Sequence, residues 1–139
     1  MVMKRLIALM ALLAAAGCGS SSSTAPTTSS APYSQQDLVV GTGATAAAGN
    51  TVTVAYSLWL YDSSKADGKG QSVQSSGSTP VVLNSASVIE GWVRGVPGMK
   101  VGGTRRLIIP PELAYGAAGR QGIPPNATLV FDITLLSVP

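Results

Sequence analysis

The chain has 139 residues, which is enough for one domain of ordinary size. Its formal net charge of +3 includes two basic residues of an N-terminal segment that we expect to be removed, and from Cys18 onward seven basic and six acidic residues leave a net charge of +1. Proteins that bind nucleic acid rely on a large positive field, which this balance does not provide. We therefore expect no nucleic acid partner.

Residues 1–17 have the layout of a secretory signal peptide, with a basic pair at 4–5 followed by an apolar run over 6–16. That run is well below the roughly 20 residues that a membrane-spanning helix needs. The small residues at 15–17 and the single cysteine after them resemble a bacterial lipoprotein signal, so we predict that Cys18 is lipidated and anchors the chain in a membrane. The alternative is an ordinary cleaved signal that leaves a free thiol near the cut.

Residues 18–36 are rich in Ser, Thr and Pro and carry no charge. Such a segment buries too little apolar surface to offset the entropy lost on ordering. We predict a flexible tether that connects the lipid to one domain at residues 37–139. The residue after the cysteine is Gly19 rather than an aspartate. This resembles the sequence of lipoproteins that go to the outer membrane by default in Gram-negative cells. The expected location is the bacterial cell envelope, lipid-anchored in the outer membrane and facing the periplasm.

The first half of the domain has strand patterns separated by a polar stretch. Apolar residues alternate over residues 51–60, which predicts a half-buried strand. Residues 62–77 are polar and glycine-rich and predict a long loop, with a strand remnant around 72–74. Residues 80–83 predict a short apolar strand.

The pattern changes at Val88, where apolar residues recur at helical spacing up to Val96 and Pro97 interrupts them. This pattern predicts one short amphipathic helix. Residues 105–109 and 129–136 return to strand patterns. One helix that packs on a mostly antiparallel sheet is the α+β fold class.

The chemical inventory of the chain is small. It has no histidine, one cysteine and acidic residues that are scattered along the sequence, so catalytic triads and metal sites lack their usual components. We expect neither a metal nor another cofactor. The adjacent Arg105 and Arg106 would point to opposite faces of a strand, so we expect solvated or ion-paired side chains rather than a basic patch.

Aromatic residues lie far apart among apolar, Gly and Pro residues in this domain. The pattern alone favours ordinary core positions for them. The alternative is a site that works by shape and by removal of water, since no histidine or free thiol is at hand. The four residues concerned are Tyr56, Trp92, Tyr115 and Phe131.

Four stretches carry a family resemblance, and in chain order they read TVTVAYSLWLYD, VIEGWVRGVPGMKVGG, IPPELAYGAAG and IPPNATLVFDITLL. They resemble the FKBP-type peptidyl-prolyl isomerases, the immunophilin family that binds tacrolimus, over about residues 37–139. The resemblance implies a curved antiparallel β-sheet, a half-barrel, wrapped around one short α-helix with an apolar pocket between them. It also implies proline-containing polypeptides as substrates and tacrolimus-like macrolides as inhibitors.

The resemblance assigns four residues to the catalytic part of the pocket. Tyr56 matches a tyrosine of the pocket wall, and Phe131 matches a phenylalanine of the inner wall. Ile89 matches the residue whose backbone N–H holds a ligand carbonyl. Tyr115 matches the tyrosine whose hydroxyl bonds the ligand.

Further residues are expected to bind the substrate around these four. Val88 is the first residue of the pair that holds the carbonyl, Trp92 matches the indole of the pocket floor, and Ile123 matches the apolar tip of an overhanging loop. Val73 and Gln74 stand where the family commonly carries phenylalanine and aspartate. Because an aromatic ring and a carboxylate are both lost, we expect weak turnover.

Three functions stay open on this basis. The first is a peptidyl-prolyl cis-trans isomerase that assists folding of exported proteins in the cell envelope, by desolvating and stabilising a twisted X-Pro amide in an apolar pocket. The second is a weakly catalytic or non-catalytic chaperone for unfolded or proline-containing segments. The third is a structural lipoprotein with a vestigial pocket. A monomer is expected, because the sequence has no coiled-coil heptads.

Overall fold

The computed structural model describes residues 30–139. The predicted signal peptide at 1–17, the predicted lipidation site Cys18 and the predicted tether up to residue 29 lie outside the described residues. None of the helices within residues 30–139 is long and apolar enough to cross a membrane.

Five antiparallel strands form one curved sheet with one short α-helix against it, and this confirms the predicted α+β half-barrel. The strand order across the sheet is β1-β4-β5-β2-β3, so β1 and β3 are the edges. A 3₁₀ turn at Pro111–Leu113 follows β4. The elements are β1 Ser34–Val39, β2 Thr51–Tyr61, β3 Lys69–Val82, α1 Glu90–Gly95, β4 Thr104–Ile109 and β5 Leu129–Ser137.

Strand β5 is the centre of the sheet, paired with β4 on one side and with β2 on the other. The predicted alternation holds, because Leu129, Phe131, Ile133 and Leu135 are all buried on one face. Strand β2 adds Val52 and Val54 and further residues to the same core, as the pattern over 51–60 predicts. Apolar side chains of this kind contribute about 1.5–3 kcal/mol each when fully buried.

The prediction of a long loop at residues 62–77 is wrong for most of that segment. Only the turn up to Gly68 is irregular, closed by the Asp62 N–H donating to the Gly68 carbonyl at 2.9 Å. From Lys69 the chain runs as β3, which contains the predicted short strand at 80–83 except for its last residue. Strand β3 pairs only with β2; half of its residues are exposed and none is buried. A polar sequence can therefore form an edge strand through backbone pairing. The hydrophobic pattern of such a sequence does not indicate the strand.

Strand β1 begins at Ser34, before the predicted domain start at Asp37. Its residues pair with β4 from Ser34 opposite Ile108, although every side chain of the strand is exposed. Backbone pairing at a sheet edge needs no apolar alternation, which is why composition placed these residues in the tether. The preceding Tyr33 packs against the core.

The two adjacent arginines of β4 are ion-paired on opposite faces, as predicted. Arg105 is buried, pairs with Asp37, and donates from Nη1 to the Gly95 carbonyl at 2.7 Å. A cation at that carbonyl complements the dipole at the end of α1. Arg106 pairs with Asp132 through bonds of 2.7 and 3.0 Å.

The helix lies close to the sheet because two of its residues have no side chain. A Cβ added to Gly91 would lie 2.5 Å from Ile109 Cγ2, and one added to Gly95 would lie 2.5 Å from Leu107 Cδ2. Both distances are shorter than a van der Waals contact. These glycines therefore let α1 approach β4 closely enough to place Trp92 over the inner face of the sheet.

Candidate functional site

A cavity of about 520 Å³ lies between α1, the inner face of the sheet and the loop that precedes β5. All nine residues that the sequence predicts for the pocket line it. The cavity residues with predicted catalytic roles are Tyr56, Ile89, Tyr115 and Phe131, and those with predicted binding roles are Val73, Gln74, Val88, Trp92 and Ile123.

Three aromatic rings pack edge to face at the floor of this cavity. The Trp92 ring centroid lies 5.3 Å from that of Tyr56 and 5.3 Å from that of Phe131, at interplanar angles of 82° and 84°. Edge-to-face pairs of this kind contribute about 0.5–1.5 kcal/mol beyond their area burial. Trp92 and Phe131 are buried. The floor is therefore a rigid apolar surface that presents ring faces and edges to a ligand.

The start of α1 places backbone groups at the cavity. Ile89 is the N-cap, with extended φ and ψ of −62° and 153°, and its carbonyl accepts the N–H groups of Trp92 and Val93. The Val88 N–H donates to the Asn84 carbonyl at 3.1 Å, whereas the described residues give the Ile89 N–H no backbone acceptor. Of this predicted pair, the second residue alone offers a free backbone donor, since first-turn N–H groups have no partner inside a helix.

A β-bulge in β3 explains how two consecutive residues reach the same cavity. Leu58 and Trp59 of β2 are neighbours, yet their partners are Gln74 and Ser72, which leaves Val73 as the extra residue. Consecutive residues of a regular strand point to opposite faces, and a bulge breaks that rule. Gln74 Nε2 donates to the Tyr56 hydroxyl at 2.7 Å. The carboxylate that the family commonly carries there would instead accept the hydroxyl proton.

The overhanging loop before β5 is fixed by its own backbone bonds. Arg120 and Ile123 exchange two hydrogen bonds of 2.9 and 2.8 Å across a two-residue turn. At the base of the loop the Asn126 N–H donates to the Gly116 carbonyl at 2.9 Å. Ile123 is buried, and its side chain closes the cavity from above. Tyr115 lines the cavity at the start of this loop, and its hydroxyl accepts from Arg120 Nη1 at 3.0 Å.

Sequence reasoning missed several lining residues. Leu58 lies on the same strand face as Tyr56, and the alternation of β2 was the signal that could have found it. Arg120 gave no signal, because a charged residue in a glycine-rich loop is usually solvated. The further lining residues are Thr79, Val81, Ser85, Ala86, Ser87, Glu90, Ala114 and Gln121.

The chemistry of the cavity is non-covalent. Its charged lining residues are Glu90 and Arg120, and Glu90 pairs with Arg94 at 3.5 Å. Within residues 30–139 no group of three or more His, Cys, Asp or Glu side chains could hold a metal ion. The groups available to a ligand include ring faces, a free backbone N–H, two tyrosine hydroxyls and the polar side chains of the lining.

These features define an α+β domain with a cavity that has an aromatic floor and lies between the half-barrel sheet and its short helix. Residues 43–136 match the family model of the FKBP-type peptidyl-prolyl cis-trans isomerases. The chain belongs to this family, and its activity is the cis-trans isomerisation of peptidyl-prolyl bonds.

Known relatives are similar in sequence to this chain over nearly the whole domain. The chain is 43% identical over 104 residues to an FK506-binding protein of Neisseria meningitidis serogroup A, covering 74% of this chain and 93% of the relative. It is 41% identical over 111 residues to FkpA of Escherichia coli strain K12, covering 80% of this chain but 39% of the relative.

Solved structures agree on the fold. The crystal structure of AtFKBP13 superposes with a TM-score of 0.65 at 32% identity, covering 77% of this chain and 93% of that chain. The crystal structure of FkpA from Escherichia coli gives a TM-score of 0.64 at 41% identity, covering 76% of this chain and 47% of that chain.

Proposed function

We propose that the enzyme isomerises X-Pro bonds in the cavity described above by desolvating the amide, with Tyr56, Ile89, Tyr115 and Phe131 in contact with the reacting groups. The observation that supports this most is the edge-to-face floor of Tyr56, Trp92 and Phe131 next to the unpartnered Ile89 N–H. The proline ring would lie on this floor. Val73, Gln74, Val88, Trp92 and Ile123 would surround it.

The barrier to isomerisation comes from the partial double bond of the amide, about 18–20 kcal/mol for peptide bonds in general. Uncatalysed X-Pro bonds take tens to hundreds of seconds to isomerise. Twisting the bond removes the charge-separated resonance form, so the twisted amide is less polar than the planar one. A dry apolar cavity therefore binds the twisted form better than the planar form, which is how a site lowers a barrier. Neither a nucleophile nor a proton transfer is needed.

Two donors would hold the peptide while the bond turns. The Ile89 N–H would bind a carbonyl beside the reacting bond. The Tyr115 hydroxyl accepts from Arg120, which leaves its own proton free to donate into the cavity. Fixed donors of this kind orient a substrate without reorganising during the reaction.

The proposed place of action is the cell envelope. The N-terminal sequence supports export, lipidation at Cys18 and an outer-membrane anchor facing the periplasm, with residues 19–29 as part of the tether. Proline-containing segments of exported proteins are the proposed substrates, and tacrolimus-like macrolides are proposed inhibitors. We propose a monomer in solution.

A second candidate is a chaperone that binds proline-containing or unfolded segments with little turnover. The observation that favours it is the β3 wall, where Val73 leaves more open volume than a phenyl ring and the Gln74 amide replaces a carboxylate. Binding needs the floor and the overhang. Rate acceleration also needs the groups beside the twisted carbonyl.

A prolyl cis-trans assay on short peptides, with tacrolimus as competitor, separates these candidates. We expect acceleration that the drug blocks. Peptide binding without acceleration would support the chaperone. If the chain shows no binding and no acceleration, the structural lipoprotein is the remaining candidate. Removing the Tyr115 hydroxyl with Tyr115→Phe is expected to slow the reaction several-fold. The matched control is Tyr61→Phe, because Tyr61 lies at the end of β2 and does not line the cavity.

A further inference from the structure

We propose that Arg120 gives this cavity a preference for peptides that carry an acidic side chain close to the isomerised proline. The inference rests on the proposed function, since it concerns the substrates of the same cavity. Arg120 lines the cavity from the overhanging loop, and Ile89, the proposed carbonyl donor, lines the same cavity at the start of α1. It was not predicted from the sequence.

The backbone of the loop holds Arg120 beside the apolar tip. The Arg120 N–H donates to the Ile123 carbonyl at 2.9 Å and the Ile123 N–H returns a bond of 2.8 Å, with Gln121 and Gly122 as the turn. Residues paired in this way project their side chains to the same side. Since Ile123 projects into the cavity, Arg120 lies on the cavity side of the loop, at the solvent-exposed rim.

Contacts with Tyr115 fix the guanidinium further. Nη1 donates to the Tyr115 hydroxyl at 3.0 Å, and the guanidinium carbon lies 5.4 Å from the centre of the Tyr115 ring. That distance is within the range of a cation–π contact. An arginine side chain has five N–H donors, and this is the one side-chain hydrogen bond of Arg120 within the described residues. Most of its donors remain available to a ligand.

No carboxylate of the described residues competes for this charge. Among the acids of residues 30–139, Asp37 pairs with Arg105, Asp132 with Arg106 and Lys69, and Glu90 with Arg94. No ion pair joins Arg120 to an acid within the described residues. A peptide carboxylate would therefore meet a held, unpaired guanidinium, whose planar fork matches its geometry.

The size of the effect follows from exposure. Arg120 is solvent-exposed, and ion pairs in such places contribute about 0.2–1 kcal/mol. This range corresponds to a preference of roughly 1.4- to five-fold in kcat/KM. Salt should reduce it, because the Debye length falls to about 3 Å at 1 M ionic strength.

The test compares N-acetylated, C-amidated peptides that differ only by Glu or Gln at one position within two residues of the X-Pro bond. These blocked ends leave the side chain as the single carboxylate that varies. We expect the wild-type chain to favour a Glu peptide by roughly 1.4- to five-fold at low salt. Arg120→Gln should bring the ratio to about one, and 1 M salt should do the same in the wild type. The matched control is Lys100→Gln, which removes an exposed cation outside the cavity.

Two outcomes would overturn the inference. One is equal rates for Glu and Gln peptides in the wild type, and the other is a preference that survives Arg120→Gln. If Arg120 acts only by positioning Tyr115, Arg120→Gln would slow the isomerisation of both peptides by the same factor. The ratio of their rates would then be the same as in the wild type. If neither peptide is accelerated, the proposed mechanism fails, and equilibrium binding of the same pair then tests Arg120 alone. Equal affinities in that measurement would overturn it.

Discussion

The inner wall and the edge wall of the cavity differ in how the sheet supports them. The inner wall is Phe131 on β5 with Trp92 on α1, and these side chains are 3% and 5% exposed. The edge wall is the Val73 bulge and Gln74 on β3, where Val73 is half-buried and Gln74 is exposed. Strand β5 has a paired neighbour on both sides, whereas β3 pairs only with β2.

We expect this difference between the walls to separate effects on the free energy of unfolding from effects on turnover. Phe131 belongs to the buried core and also lines the cavity, so we expect a change there to alter the fold and the cavity together. The edge wall touches the core lightly, and its residues can change with little effect on folding. The family resemblance is kept on the inner wall and departs on the edge wall, so we expect turnover to vary there without unfolding the domain.

The largest expected effect is on the inner wall. Phe131→Ala removes a buried ring that contacts both Trp92 and Tyr56, and we expect a loss of about 3–5 kcal/mol in the free energy of unfolding. Val73→Ala on the edge wall should cost less than about 1 kcal/mol, because its side chain is partly solvated. Urea unfolding of both variants gives the comparison. Similar losses at the two positions would contradict the proposed separation.

The family resemblance predicts lining residues on both walls, but the periodicity of the sequence supports only the inner wall. Regular alternation over β5 and helical spacing over α1 set which side chains face inward, so Phe131 and Trp92 follow from periodicity plus the family resemblance. The Val73 bulge cannot be found in this way, because a period-two pattern places adjacent residues on opposite faces. Before Pro80, the polar sequence of strand β3 gives no hydrophobic alternation. Arg120 needs the backbone of the turn before its position can be known.

An intermediate effect is expected from restoring the edge wall. Val73→Phe combined with Gln74→Asp should raise kcat/KM several-fold, because the ring fills open volume and the carboxylate accepts the Tyr56 hydroxyl proton. The free energy of unfolding should change by less than about 1 kcal/mol. The prolyl cis-trans assay and urea unfolding measure the two quantities. No gain in a folded double variant would show that these two residues do not limit turnover.

The control for this variant is a change on the same strand outside the cavity. The control variant is Ser72→Thr. Ser72 precedes the bulge and does not line the cavity. Its turnover should equal that of the wild type. A gain there as well would point to a general effect on β3 rather than to the wall residues.

The smallest effect concerns the link between the two walls on the outer face of the sheet. Asp132 of β5 binds Arg106 of β4 and, at 2.8 Å, Lys69 at the start of β3. Burial on its own raises the pKa of Asp132, but hydrogen bonds from Arg106 and Lys69 outweigh it and hold that pKa below its ordinary value. The carboxylate therefore ties the edge strand to the central strand while it is charged.

A lowered pKa in the folded state fixes the direction of the pH dependence. The stabilisation is complete above the unfolded pKa, about 3.9 for an aspartate, and is lost as pH falls through the lower folded pKa. Asp132→Asn should lower the urea midpoint at pH 7 and flatten its decline below about pH 4. Glu112→Gln, a change of an exposed acid in the 3₁₀ turn, should keep the wild-type slope. Parallel profiles for wild type and Asp132→Asn would mean that the ion pairs do not hold β3 to the centre of the sheet.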